Sequence, residues 1–184
     1  MRRAVWMMAA GTVLLTACGG PRTVAPMPLV PDPDTLRQID IYAAVIRELV
    51  TTDDNTFGAE TDFPAVFVVD HPEGDAGNPD GGEPAAGEPF SDDVRRGLQE
   101  RLADLPLRFV ADADAVTVPV EDGGGVEDDG VVVTLGPIPE GGSKVEVGAS
   151  LYAGPLAGTW LTYVVEAEGG EWKVTGTTGP VAIS

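Results

Sequence analysis

The sequence predicts an α+β domain in which two helices pack on one face of a twisted antiparallel sheet. Two stretches carry apolar residues at three-to-four spacing, as amphipathic helices do. They are followed by a run of short β-branched segments separated by glycine-rich turns, which indicates consecutive strands. A closed barrel is not expected, because two amphipathic helices need a sheet surface to cover.

The first helix is predicted over residues 34–51. Asp32 or Asp34 can cap it, and Pro33 suits a first helical turn. Its apolar stripe consists of Leu36, Ile39, Ala43, Ile46, Leu49 and Val50, widened by Tyr42 and Val45. The polar face lacks the basic residues of a membrane-surface helix, so the stripe is expected to face the core.

A strand is predicted over 63–70, where β-branched and aromatic residues follow one another. The next segment, 71–89, contains four Pro, five Gly and five acidic residues. It has no Ile, Leu, Val or aromatic residue, and it is therefore expected to be a disordered acidic loop.

The second helix is predicted over 91–104. Ser91 is a good N-cap, and Asp92 and Asp93 suit the positive end of the helix dipole. One apolar stripe follows and ends at a proline: Val94, Leu98, Leu102, Leu105 and Pro106.

The remaining sequence is predicted to form strands joined by short turns. The segments are 107–111, 115–120, 131–138, 144–152, 159–167 and 171–175. Two adjacent glycines within 168–171 predict a hairpin turn. Both faces of 159–167 carry apolar bulk, so this segment is expected to be a central strand.

The first residues resemble a bacterial lipoprotein signal. Arg2 and Arg3 precede a twelve-residue apolar run that is too short to span a bilayer, and the run ends in Leu-Thr-Ala-Cys-Gly at 15–19. The resemblance implies cleavage between Ala17 and Cys18 and a diacylglyceryl group on the Cys18 thiol.

Residues 1–17 are thus expected to be a lipoprotein signal peptide, 18–33 a Pro-rich tether and 34–184 a single domain. The expected location is the extracytoplasmic side of the cell membrane or the outer membrane, with membrane lipid as the partner through Cys18. Two or three acyl chains on one residue make a stable anchor, whereas one holds a protein only marginally.

Composition excludes several function classes. The formal charge is -19, with 11 basic and 30 acidic residues, which opposes binding to nucleic-acid phosphate. Cleavage after Ala17 would remove two arginines and make the charge -21. One Cys and one His exclude a disulfide framework and the usual zinc sites. No cofactor is expected.

The C-terminal third, 131–184, resembles a group of uncharacterised bacterial exported proteins. The residues that carry the resemblance are the segments 144–147, 154–158, 160–165, 170–174 and 183–184. Members often carry two Cys around the Gly-rich turn, where this chain has Ala153 and Ala157, so a disulfide there is not expected. The Gly-x-Trp-Lys-Val hairpin also recurs in cystatin-like and nuclear-transport-factor-like folds, which are candidates by analogy.

Candidate site residues are few. His71 beside Asp70 could act as a base, but its loop setting favours a solvated histidine. Acidic residues in two loops invite a cation site, although the calcium-loop spacing is absent: Asp70, Asp75, Asp80, Glu127, Asp128 and Asp129. An aromatic group could stack a sugar or contact a partner, although sheet core is the simpler interpretation: Trp160, Tyr163 and Trp172.

Three functions follow as hypotheses. The first is a non-enzymatic, lipid-anchored envelope module that binds an envelope protein or a small ligand. The second is a hydrolase using a carboxylate pair in a sheet pocket. The third is an acidic surface protein that binds cations. No nucleophile or phosphate-loop motif is present, so the first is preferred.

Overall fold

The computed structural model describes residues 31–52, 57–58, 61–80 and 85–184. It contains helices α1 (Pro33–Thr51) and α2 (Asp92–Arg101) and six strands: β1 (Val66–Pro72), β2 (Leu107–Val110), β3 (Val131–Leu135), β4 (Lys144–Gly154), β5 (Ala157–Glu168) and β6 (Glu171–Ile183). The strands form one sheet in the order β2-β1-β3-β4-β5-β6. The predicted α+β class, with two helices on the sheet, is confirmed.

The sheet is mixed, because β1 runs parallel to both of its neighbours, β2 and β3. Helix α2 lies between β1 and β2 in sequence and returns the chain so that both strands start from the same end. From β3 to β6 the strands are antiparallel, as predicted. Strand β5 is central, because it pairs along its length with β4 and β6.

Helix α1 begins where its capping residues predict. The side chain of Asp32 accepts hydrogen bonds from the backbone N–H groups of Asp34 and Thr35, both at 3.0 Å. The apolar stripe of α1 packs in the main core with α2 and with one face of the sheet, which includes Val133, Val147 and Leu161. We call this the helix side of the sheet, and the opposite face the helix-free face.

Helix α2 is held by packing and by an ion pair. An added Cβ at Gly97 would collide with the Ile39 side chain, so this glycine lets α2 approach α1 closely. Arg95 pairs with Asp70 at the end of β1 and with Asp92 in its own first turn. The pair ties the helix to the strand that precedes it.

The predicted strand at 115–120 is wrong. This segment forms turns of 3-10 helix, Ala113–Ala115 and Val120–Asp122, with one isolated bridge between Thr117 and Val126. Proline at position 119 cannot donate to a strand ladder, which limits pairing there. Instead, Val116 and Val126 pack on the helix-free face in a second, smaller core.

The described residues of the predicted acidic loop, 71–80 and 85–89, include the end of a strand and an isolated bridge. Strand β1 continues to Pro72, and Glu73 bridges to Ala86. Ala76 is 4% exposed. The composition rule assumes that burial requires large apolar side chains, whereas this segment packs through small residues and backbone contact on the helix-free face.

Several boundaries also differ from the prediction: β1 begins at Val66 rather than at 63, and α2 ends at Arg101 rather than at 104. Strand β3 ends at Leu135 rather than at 138, and β6 continues to Ile183 rather than ending at 175. Gly176 and Gly179 have positive φ angles, and the β5–β6 register shifts in their vicinity. Such irregularities interrupt the alternation of apolar and polar residues from which a strand is predicted.

Tyr42 should make stability fall at high pH. Its hydroxyl is buried and donates to the backbone oxygen of Gly136 at 3.0 Å, and burial raises the pKa of Tyr42 from 10.0 to about 12. The unfolded chain therefore ionises first as pH rises, and we expect a loss of about 1.4 kcal/mol between pH 9 and 11 that Tyr42→Phe lacks. Urea unfolding at each pH measures it. Parallel pH profiles for the two proteins would contradict the prediction.

Candidate functional site

A pocket of about 250 Å³ opens on the helix-free face of the sheet. We call it the Trp160 pocket. Strands β3, β4 and β5 form its floor, and residues 73–79 and Ala113 form its walls. The complete lining is Glu73, Asp75, Ala76, Asn78, Pro79, Ala113, Val132, Thr134, Ser150, Tyr152 and Trp160.

The floor is a row of three polar or aromatic side chains in register. Thr134 on β3 pairs with Ser150 on β4, which in turn pairs with Trp160 on β5. Directly paired residues of antiparallel strands project from the same face, so the three side chains stand side by side. Thr134 is 8% exposed and Ser150 is 7% exposed.

Thr134 and Ser150 make no side-chain hydrogen bond within the described part of the chain, and their hydroxyl oxygens are not among its fully buried unpaired atoms, so both oxygens are accessible from the pocket. A ligand that covers these hydroxyls must hydrogen-bond to them, because a buried hydroxyl without a partner carries the cost of its desolvation. Both residues line the pocket. A ligand or water in the pocket is the partner that this geometry leaves for them.

Residues 73–79 form the wall that carries Glu73 and Asp75, which we call the acidic wall. A close backbone contact between two glycines positions it. An ideal Cβ on Gly77 would lie 2.9 Å from the Cα atom of Gly148 and 2.8 Å from the Thr162 Oγ1 atom. Only glycine allows the wall to lie this close to β4 and β5. The turn is closed by the Asn78 N–H, which donates to the Asp75 backbone oxygen at 2.7 Å.

The wall is anchored to the sheet at its start as well. The Glu73 N–H donates to the Leu135 backbone oxygen at 2.8 Å, which continues the pairing of β1 with β3. Glu73 and Asp75 are therefore held over the floor by main-chain bonds rather than by their own side chains.

The electrostatics of the wall are those of crowded carboxylates. Burial raises the pKa of the Glu73 carboxyl, and repulsion from Asp75 and Asp112 raises it further, against the opposing effect of His71. The Nε2 atom of His71 lies 3.6 Å from Glu73 Oε1. Within the described part of the chain, no Lys or Arg lines the pocket. The pocket is therefore a negative site.

Gly158 provides the space that the Trp160 indole occupies. An ideal Cβ at Gly158 would lie 2.5 Å from Cη2 and 2.8 Å from Cζ3 of the Trp160 ring. The ring is only partly buried and contributes to the lining beside Tyr152. A larger residue at position 158 would displace the ring.

The predicted aromatic group does not come together. Tyr163 is fully buried on the helix side, where it belongs to the main core. Trp172 lies on that side too, with the Arg37 guanidinium carbon 5.3 Å from its ring centre. Trp160 projects from the opposite face because it is an odd number of residues away from Tyr163 along one strand.

The acidic candidates separate into different parts of the fold. Asp70 pairs with Arg95, Asp128 pairs with Arg108 at 2.6 Å, and Asp75 lines the pocket. Asp80, Glu127 and Asp129 are exposed. Over the part of the chain that the structure describes, no three His, Cys, Asp or Glu residues are grouped to hold a metal ion. Cys18 and Ala17 lie outside the described residues.

A larger cleft of about 550 Å³ lies on the helix side, between α1, the end of α2 and the β5–β6 hairpin. Three basic side chains line it, and each already has a carboxylate partner: Arg47 with Asp104 at 2.7 Å, Arg101 with Asp40 at 2.8 Å and Lys173 with Glu171 at 3.5 Å. Hydrogen bonds from Arg47 lower the pKa of Asp104 to about 2. These charges are neutralised within the protein, so the cleft is the weaker candidate.

Sequence reasoning found Asp75 and Trp160 but missed the residues that link them. Thr134 and Ser150 carry a visible signal, because each is a polar residue inside an otherwise apolar strand. Asn78 carries no such signal, since its segment has the composition of an acidic loop, in which Glu73 is a candidate only as a cation ligand.

Comparison with known proteins found no matching family model, curated protein or solved structure. The resemblances to lipoproteins and to exported proteins therefore stay predictions. Among the described residues, the helices are not long and apolar enough to cross a membrane.

Proposed function

We propose that the protein is a lipid-anchored, extracytoplasmic module that binds a small polar ligand in the Trp160 pocket. The anchor is supported by the resemblance of the first residues, up to Cys18, to a lipoprotein signal. Ligand binding is supported by the geometry of the pocket. The single observation that carries the binding role is the pair of hydroxyls of Thr134 and Ser150, two largely buried residues, which face the pocket without a protein partner in the described chain beside an accessible indole. Indole rings and hydroxyls together suit ligands that combine a flat or compact body with polar groups.

Ligand binding is tested by NMR on the full chain, extracted in a non-ionic detergent and labelled with ¹⁵N at tryptophan. Small polar probes of several classes are added: sugars, amines, amino acids, carboxylates and calcium. We expect a subset to shift the Trp160 indole signal, with Trp172 on the opposite face as the internal control. Trp160→Phe assigns the signal. The binding role fails if probes of every class leave the Trp160 signal unchanged, or move Trp172 equally.

The anchor is tested by Cys18→Ser in a bacterial host with lipoprotein-processing enzymes. We expect the wild type to lose residues 1–17, gain acyl chains and enter the detergent phase, while the variant remains unmodified and leaves that phase. Intact mass and detergent partition measure this. An unmodified wild-type Cys18 would remove the anchor and leave the binding role standing.

The second candidate is a hydrolase that uses Glu73 as a general acid with Asp75 as the charged partner. The observation that favours it is that Glu73 and Asp75 line the same pocket, where burial raises the pKa of the Glu73 carboxyl, as in sites where two carboxyl groups take different roles. Glu73→Gln separates the two roles, because it would abolish turnover of a bound glycoside or ester while retaining binding of neutral probes.

A further inference from the structure

We propose that the ligand of the Trp160 pocket carries an organic cation, an ammonium or guanidinium group, attached to a small hydrogen-bonding body. This inference rests on the proposed binding function and specifies the ligand class. Two carboxylates on the wall, two aromatic rings and two unpartnered hydroxyls on the floor form the recognising surface: Glu73, Asp75, Tyr152, Trp160, Thr134 and Ser150.

Among the described residues, no Lys or Arg forms an ion pair with Glu73 or Asp75. Glu73 and Asp75 repel each other, and Asp112 adds to the repulsion on Glu73 from the turn at the start of the 113–115 segment. The Nε2 atom of His71 lies 3.6 Å from Glu73 Oε1. Among the described residues, His71 is the one group whose charge lowers the pKa of Glu73. A bound cation would remove this repulsion, which is a gain that a neutral ligand of the same shape cannot provide.

The floor is suited to an organic rather than a metal cation. Trp160 and Tyr152 line the pocket, and a cation over an aromatic face is attracted by the ring quadrupole. The hydroxyl oxygens of Thr134 and Ser150 can accept N–H bonds. A calcium ion needs six to eight converging oxygens, and the described residues offer no group of three acidic or imidazole ligands.

The volume limits the size of the ligand. The volume of about 250 Å³ is below the usual range for small-molecule sites, so one sugar ring or one amino-acid side chain fits better than a polymer. Thr134 and Ser150 then select for a ligand that can hydrogen-bond at the bottom of the pocket, because an apolar group would leave both hydroxyls unpaired.

Glucosamine and glucose provide a matched test, because they differ only in an ammonium group that replaces one hydroxyl. Methylguanidinium, acetate and calcium chloride complete the probes, with the Trp160 and Trp172 indole signals of the full chain as readout. We expect glucosamine and methylguanidinium to bind at Trp160 at least about tenfold more tightly than glucose. Glu73→Gln combined with Asp75→Asn should abolish that preference, whereas Glu140→Gln, an exposed acid elsewhere, should retain it.

The outcomes separate the inference from the function on which it rests. Glucose binding at Trp160 as tightly as glucosamine would overturn the cation and keep the binding role. A preference for calcium or acetate would also overturn it. Cation binding that survives the double substitution would overturn the role of the carboxylates. If no probe shifts the Trp160 indole signal, both proposals are overturned.

Discussion

Gly77→Ala is expected to detach the acidic wall from the sheet and to abolish binding in the Trp160 pocket. The added Cβ would lie 2.9 Å from both the Gly148 Cα atom and the Leu161 backbone oxygen. These are backbone atoms of two paired strands, so no side-chain rotation can relieve the overlap. Overpacking of this kind typically costs about 1–3 kcal/mol, and here the wall can escape the cost by lifting away. The N–H groups of Glu73 and Asn78 should then exchange with solvent much faster.

Gly74→Ala is the matched control in the same segment. Its added Cβ would meet only Ala85, at ordinary contact distances of 3.6 Å and more. Amide hydrogen exchange and the Trp160 indole signal should therefore be unchanged in this variant. If Gly77→Ala leaves both readouts as in the wild type, the wall does not depend on the glycine contact. If Gly74→Ala changes them equally, the effect belongs to loss of glycine in general.

The Gly77 contact also explains why the acidic wall of the pocket was not predicted from the sequence. Composition indicates whether a segment can bury large apolar side chains, and residues 71–89 have almost none. It does not indicate that two glycines, 77 and 148, far apart in sequence, will allow backbones to touch. The strand residues of the floor were within reach of prediction, because a period of two assigns Thr134 and Ser150 to one face once the strands are registered.

The helices and the strands β3 to β6 follow from local patterns, whereas the first half of the sheet does not. Capping residues and apolar stripes locate α1 and α2, because those signals lie within one or two turns of the chain. The parallel pairing of β1 with β2 and β3 is set by where α2 packs, which is a long-range property. The aromatic residues show the same limit, since Trp160 and Trp172 lie on opposite faces.

Leu98→Ala should produce the largest loss of stability without affecting ligand binding. Leu98 is fully buried in the main core, on the side of α2 that faces α1 and the sheet. Truncation of a buried leucine removes its transfer free energy and leaves a cavity, which typically costs about 2–5 kcal/mol. Urea unfolding measures the loss. Gln99→Ala, on the exposed side of the same helix, should change stability by less than about 0.5 kcal/mol.

Comparison of Leu98→Ala with Gly77→Ala distinguishes the contributions of the two faces of the sheet to stability and to binding. The main core lies on the helix side, whereas the Trp160 pocket is built from the helix-free face and its covering segments. Below the unfolding transition, Leu98→Ala should therefore shift the Trp172 signal, which lies in the helix-side cleft, and leave Trp160 and its probe affinities unchanged. Equal weakening of binding in Leu98→Ala and Gly77→Ala would mean that the pocket depends on the whole core. Separate effects would mean that a stable helix-side core supports a pocket positioned by local backbone contacts.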